Sequence, residues 1–314
     1  MKGWILAIVQ TGLLVFGAPF LAGWIKWVKS KLQSRQGPPP WQPYRDLLRL
    51  FSKEVVIAES ASPIFRLAPY VVFSVIALAC SVVPMVATGL PTAAIADVIV
   101  LVGFFALGRF FLALAGMDVG TSFGGMGSSR EMTIASLAEP AMLMGVFTLA
   151  MTVHSTNIAS MIRYLIEQPF QLYPSFVFAA MGLVLVAVAE TGRIPVDNPA
   201  THLELTMVHE AMILEYSGRH LALMEWGAML KLMVYSVLLL NLFVPWGIAV
   251  DYTSATLLVG LAAITAKLLL LGTALACAET GLAKMRLFRV PQYLGLAFIL
   301  CLLGMLSHVI LEVN

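Results

Sequence analysis

Apolar residues along this chain come in long unbroken blocks, not in alternating or two-turn patterns. A helix needs about 20 such residues to cross the hydrocarbon core of a bilayer. Eight windows meet that requirement, at roughly 4–25, 67–88, 95–117, 132–153, 174–190, 227–249, 255–276 and 293–311. They predict an all-α integral membrane protein with eight transmembrane helices, forming one polytopic domain over 1–314. The first window is too long and too aromatic-flanked for a cleaved leader and lacks a small-x-small site, so it reads as a retained helix. The windows at 67 and 174 open near Pro69 and Pro174, a residue tolerated in the first turn of a helix.

The polar positions gather in four connections, about 26–66, 118–131, 191–226 and 277–292. These hold fourteen Lys and Arg residues, whereas the opposite connections and ends hold only Lys2 and Arg163. Basic residues favour cytoplasmic loops, so these four connections are predicted to face the cytoplasm, with both termini outside. Within the first, Tyr44–Phe51 interleaves Leu47, Leu48, Leu50 and Phe51 with Arg45, Asp46 and Arg49. That pattern predicts an amphipathic helix at the membrane surface, with Pro38–Pro40 as a rigid connector. The third connection is unusually acidic, carrying Glu204, Glu210, Glu215 and Glu225 just after Glu190.

Composition removes several classes of function. Hydrophobic residues make up 60% of the 314 and charged residues 11%, which excludes a soluble, disordered or disulfide-scaffold protein. A net charge of +2 gives no electrostatic footprint for nucleic acid. Cys80, Cys277 and Cys301 have no C-x-x-C spacing and read as small buried hydrophobes, so they build no redox centre. The two halves share no repeat, which argues against an inverted-repeat transporter.

Local motifs are mostly bland. Gly124–Ser129 (GGMGSS) follows no strand and precedes no P-loop lysine, and is expected to form a tight turn between helices. His209-Glu210 fails as a zinc helix because Ile213 stands where the second histidine belongs. His202 and His209 are assigned to a polar cytoplasmic surface or cavity wall. Charges inside the spans weigh more, since an ionised group there costs several kcal/mol unless paired or hydrated. Arg109 precedes Asp118, and Glu139 follows Glu131, by spacings that put both ~12–13 Å inside the cytoplasmic face. Equal depth on consecutive antiparallel helices predicts an ion pair. Lys267 falls deeper, near mid-membrane, as a further station of an ion route.

Arg35, Gly37-Pro38, Gln42, Asp46 and Lys53-Glu54, with Arg193-Ile-Pro-Val-Asp197 and Glu215-Tyr-Ser-Gly218, resemble the H-type membrane subunit family of respiratory complex I. Within that superfamily the chain looks closer to the membrane subunit of group-4 NiFe-hydrogenases of the formate hydrogenlyase type. That resemblance rests on Arg109-Phe-Phe, Asp118-Val-Gly-Thr-Ser-Phe, Gly127-Ser-Ser-Arg130-Glu131, Glu139-Pro140 and Glu279 before Ala283-Lys-Met-Arg286. After Asp197 the stretch to Glu215 is longer than the family pattern, with Ala200 and His202 where glutamates are common and Glu204 in register.

The resemblance implies a non-catalytic subunit of an oxidoreductase complex in a bacterial or archaeal plasma membrane. It would dock soluble partners that carry a NiFe centre and iron–sulfur clusters, and pass coupling to antiporter-like membrane neighbours. Arg109, Glu139, Glu190, Glu204, Glu210, Glu215, Lys267 and Glu279 would carry protons or sodium ions. Arg35, Gly37, Gln42, Asp46, Glu54, Arg130, Glu131, Arg193 and Asp197 would line the docking face. In an H-type complex I protein, the alternative reading, that face would be a quinone chamber. A stand-alone ion transporter is the third reading.

Overall fold

The computed structural model describes residues 2–168, 173–197, 207–249 and 253–312. Its helices are α1 (Lys2–Leu32), α2 (Gln42–Phe51), α3 (Pro63–Val82), α4 (Val98–Asp118), α5 (Ser122–Val153) and α6 (Ile158–Glu167). They continue with α7 (Pro174–Glu190), α8 (His209–Ile213), α9 (Gly218–Phe243), α10 (Ser254–Gly281) and α11 (Val290–Ser307). Among the described residues seven helices, α1, α3, α4, α5, α9, α10 and α11, are long and apolar enough to cross a membrane. The window expected at 174–190 forms α7, which at 17 residues is shorter than the others.

Several boundaries depart from the hydropathy windows. Gly124–Ser129 is not a turn: α5 begins at Ser122, capped by the Thr121 hydroxyl accepting from the Gly124 N–H at 3.3 Å. Those glycines serve close approach. A Cβ at Gly124 would fall on the Gly116 carbonyl, and one at Gly127 would lie 3.0 Å from the Val208 carbonyl oxygen. The actual turn is made by Gly120, whose φ of +75° suits a residue without a side chain. The α9 helix starts nine residues before its window and ends before Val244, since its first turns carry Arg219, His220 and Glu225, which depress local hydropathy. The α3 helix begins at Pro63, leaving Pro69 inside it instead of at its start.

Small residues set the packing. α11 lies against α7 and α5, where Gly145 and Gly182 accommodate Leu183 and Cys301. α3 packs on α4 and α9, and α1 on α9 and α10. Cys80 and Cys301 are fully buried, but Cys277 is exposed, because α10 is covered mainly along one face by α1.

The four basic connections meet at one end of the bundle. Ser217 exchanges hydrogen bonds with both backbone groups of Val56, at 2.8 and 2.9 Å. Asp118 accepts from the Ser62 N–H at 2.7 Å, and the Met285 N–H donates to the Pro195 carbonyl at 2.9 Å. Tyr216 stacks on Phe65, centroids 4.0 Å apart, and donates to the Phe65 carbonyl. Burial, then the Asp118 carboxylate, push its phenol well above the usual tyrosine range, so it stays a donor.

At the opposite end the chain leaves helix at 83–90 and 244–249. Backbone there must be satisfied within the protein if it lies in lipid. Gln10 accepts from the Val86 N–H at 3.0 Å, and the Ala249 N–H donates to the Val86 carbonyl at 2.8 Å. Asn241 donates to the Pro84 carbonyl at 2.6 Å.

Candidate functional site

Arg109 is the only charge in α4 ahead of its last residue, and the fold buries it to 4% exposure. Two acids on α5 bracket it. Glu131 lies 3.5 Å from its Nε and Glu139 lies 2.8 Å from Nη1. Although eight residues, ~12 Å along the helix, separate them, their side chains converge on the one guanidinium. A third carboxylate closes the site: Glu190, the last residue of α7, pairs with Nη2 of Arg109. The same Glu190 oxygen lies 2.9 Å from Lys231 of α9. Three carboxylates therefore face two cations, on four helices.

All of this cluster but Glu139 forms the inner wall of a cavity of about 370 Å³ that extends to the end carrying the basic connections. The volume falls in the ~300–1,000 Å³ range of small-molecule sites. Apolar walls come from Val72, Ile76, Phe105 and Met224, and the polar lining from Lys26, Arg193, Asp197, His209, Glu210 and Glu225. Among the described residues, Glu190 Oε1, Arg109 Nε and His209 Nε2 are buried without a hydrogen-bonding partner. Buried polar atoms of this kind are normally satisfied by water or ligand, so the cavity is built to hold one or the other.

A second ionic layer ties the cavity mouth to its surroundings. Glu279, in the last turn of α10, receives Lys29 of α1 at 2.8 Å and Arg193 at 3.1 Å. Lys284 reaches Asp197 at 2.9 Å, and the His209 N–H donates to the other Asp197 oxygen at 3.4 Å. The segment 193–197 is thus held between α1, α10 and the connection that follows α10. Among the described residues no group of three His, Cys, Asp or Glu has metal-ligating placement.

The structure separates the residues singled out in the sequence. Arg109, Glu131, Glu139 and Glu190 come together, and all but Glu139 line the cavity with Arg193, Asp197 and Glu210. Glu279 stands behind that wall, through Arg193. Arg35, Gly37, Gln42, Asp46 and Glu54 lie in the first connection, outside the cavity lining, where Gln42 donates to Asp46 at 2.9 Å. Arg130 points away and donates to the Met207 carbonyl at 2.8 Å. Glu215 is exposed, and Glu204, like His202 and Ala200, lies outside the described residues. Lys267 is not brought to the cluster. It donates to the Val244 carbonyl at 2.6 Å and to that of Trp246, ~20 Å further along α9 than Lys231.

Lys231, Lys26, Lys29, Lys284 and Glu225 are functional-site neighbours that sequence reasoning leaves unassigned. Lys231 carries a usable signal, since it is a charge inside an apolar window. Its partner depends on α9 beginning at Gly218, which puts Lys231 ~20 Å along the helix, level with Glu190.

Residues 4–310 match the family model described as NADH dehydrogenase. The chain is 34% identical to hydrogenase-4 component C of Escherichia coli K12 over 300 residues, covering 96% of this chain and 94% of that protein. It is 31% identical to formate hydrogenlyase subunit 4 of the same organism over 300 residues, covering 96% and 97%. An H-type NADH-quinone oxidoreductase subunit of Symbiobacterium thermophilum is 29% identical over 195 residues, covering 59% of this chain and 57% of that one. A chain in the structure of the membrane-bound sulfane sulfur reductase, an archaeal respiratory membrane complex, shares the fold with a TM-score of 0.81 at 16% identity. That match covers 98% of this chain and 99% of that one. With the family model matched over nearly its whole length and two full-length relatives above 30% identity, the chain belongs to the NADH dehydrogenase family, as an H-type membrane protein of the formate hydrogenlyase and hydrogenase-4 kind.

Proposed function

We propose that this protein anchors the soluble redox arm of a hydrogenase-type complex and couples its electron transfer to ion movement. The observation that carries this reading is the cavity itself. It joins the Arg193–Asp197 segment at the mouth to Glu131, Glu190, Arg109 and Lys231, and through Arg109 to Glu139, a cluster of three carboxylates and two cations. The cluster holds one more carboxylate than its cations neutralise, so it can take up one proton without leaving an unpaired charge in the membrane. A redox-linked shift of the 193–197 segment would alter hydration at Glu190 and Arg109 and drive that proton in or out. Glu139, a third exposed at its side chain, is the exit towards an antiporter-like neighbour.

The end bearing the basic connections is the cytoplasmic docking face, and both termini are outside. On this reading α7 is an eighth crossing. Its ~26 Å length is close to the hydrocarbon thickness, and it packs between α5 and α11. The α2 helix lies in the interface, with Trp41, Leu48 and Phe51 exposed beside Arg45 and Arg49. A NiFe centre and iron–sulfur clusters belong to the soluble partners. A second reading, an H-type protein of a quinone-reducing complex, is favoured by the cavity's volume and its orphaned polar atoms, which would suit a quinone headgroup.

Affinity purification of the native complex through a tag on this chain separates the two. Stoichiometric nickel with hydrogenase-like soluble subunits supports the first. A nickel-free assembly with NADH-oxidising subunits and bound quinone supports the second and overturns the first.

A further inference from the structure

A second cavity, of about 190 Å³, opens between α5 and α11 at the end that carries the basic connections. Ile134 and Leu137 of α5 face Pro291 and Leu294 of α11 across it, and Phe288 lies at its rim. Phe288 is 90% exposed, held out from the protein by the tight turn at Leu287–Arg289. The volume falls below that of ordinary small-molecule pockets. It accommodates a length of chain, not a whole compact ligand.

The charge at this slot has one sign. Arg130 is the single charged residue in its lining, and Arg286 and Arg289, both exposed, bracket the lining residues Leu287 and Phe288 along the chain. Among the described residues none of the three is in an ion pair, and Arg130 uses one N–H group on the Met207 carbonyl. The neighbouring acids are committed elsewhere: Asp197 to Lys284, Glu279 to Lys29 and Arg193, and Glu131 to Arg109. Three uncompensated cations at the mouth of an apolar slot call for a ligand with an anionic head and a hydrocarbon tail. Basic pockets between transmembrane helices at the cytoplasmic side take anionic headgroups. A partner helix fits less well, because intramembrane helix contacts rely on small residues and these walls, Thr133 of α5 aside, carry bulky Leu, Ile, Val, Phe and Pro.

We propose that this slot binds an anionic diacyl phospholipid of the surrounding bilayer. Arg130, Arg286 and Arg289 hold the phosphate, and one acyl chain lies against Leu137 and Leu294. The inference is independent of ion coupling and needs only that this end meets an anionic leaflet.

The test uses the intact complex, stripped with detergent, re-equilibrated with phosphatidylcholine vesicles containing phosphatidylglycerol, and repurified. Mass spectrometry then counts the retained lipids. The unaltered complex should keep one phosphatidylglycerol per chain that an Arg286→Gln/Arg289→Gln complex loses, with phosphatidylcholine equal in both. Thr133→Trp, which fills the slot and spares the arginines, should lose the same lipid. Equal phosphatidylglycerol retention in all three overturns the proposal, as does its displacement by inorganic phosphate alone, which would make this a simple anion site. A photoreactive phenylalanine analogue at position 288 should cross-link to phospholipid in the otherwise unaltered complex, even where the variants fail to assemble. Cross-linking to a protein instead would place a partner helix in the slot and overturn the assignment.

Discussion

Arg109 and Lys267 are both cations set within apolar helices, and the protein satisfies them in opposite ways. Arg109 faces three carboxylates and borders a cavity that reaches the end carrying the basic connections. Lys267 faces two backbone carbonyls where α9 stops, in the other half of the bundle. A carbonyl has no protonation state to change at physiological pH, whereas a carboxylate does. The first arrangement can store and release a proton. The second closes a helix end inside the membrane, as buried backbone requires. Position within an apolar helix therefore does not reveal whether a cation's partner can titrate; the identity of that partner does.

The largest expected effect lies at Arg109. Arg109→Met would leave Glu131, Glu139 and Glu190 with only Lys231, and breaking a buried pair costs about 3–5 kcal/mol. The complex should fail to accumulate, or unfold at a markedly lower temperature, while Arg109→Lys recovers part of the loss. Normal thermal stability of Arg109→Met would mean that the cluster is already neutral without its arginine.

Lys267→Met sharpens the contrast from the other side. Two carbonyls lose their donor, and the part-buried one at Val244 costs up to about 1–3 kcal/mol when left unsatisfied. Thermal stability should fall, yet ions moved per electron should stay constant in the complex that survives. A well-folded Lys267→Met complex that no longer translocates ions would place Lys267 on the route. Glu215→Gln should change neither quantity measurably, because that acid is exposed and outside the cavity lining.

Much of this is legible in the chain. Apolar blocks of membrane length locate seven long helices, and the skew of basic residues foretells that four connections gather at one end. Equal depth is enough to pair Arg109 with Glu139. Depth does not reveal Glu190 and Lys231 as the other partners, because helix rotation and the true start of α9 are fixed by packing. Hydropathy also misplaces the first turns of α5, since glycines that admit Gly116 and Val208 at close range look locally like a turn. The partners of Lys267 are hidden for a related reason. Its carbonyl partners exist only because α9 ends at Phe243, short of the window drawn around it.

The most direct measurement is ion translocation by a Glu190→Gln complex in sealed vesicles, normalised to electrons passed by the soluble arm. Glutamine keeps the size and one acceptor oxygen but cannot titrate, and Glu190 is the carboxylate shared by Arg109 and Lys231. Electron transfer to artificial dyes should persist while translocation is abolished. Translocation at the unaltered ratio, from an assembled Glu190→Gln complex, would remove Glu190 from the route and leave the carboxylate cluster as a structural knot.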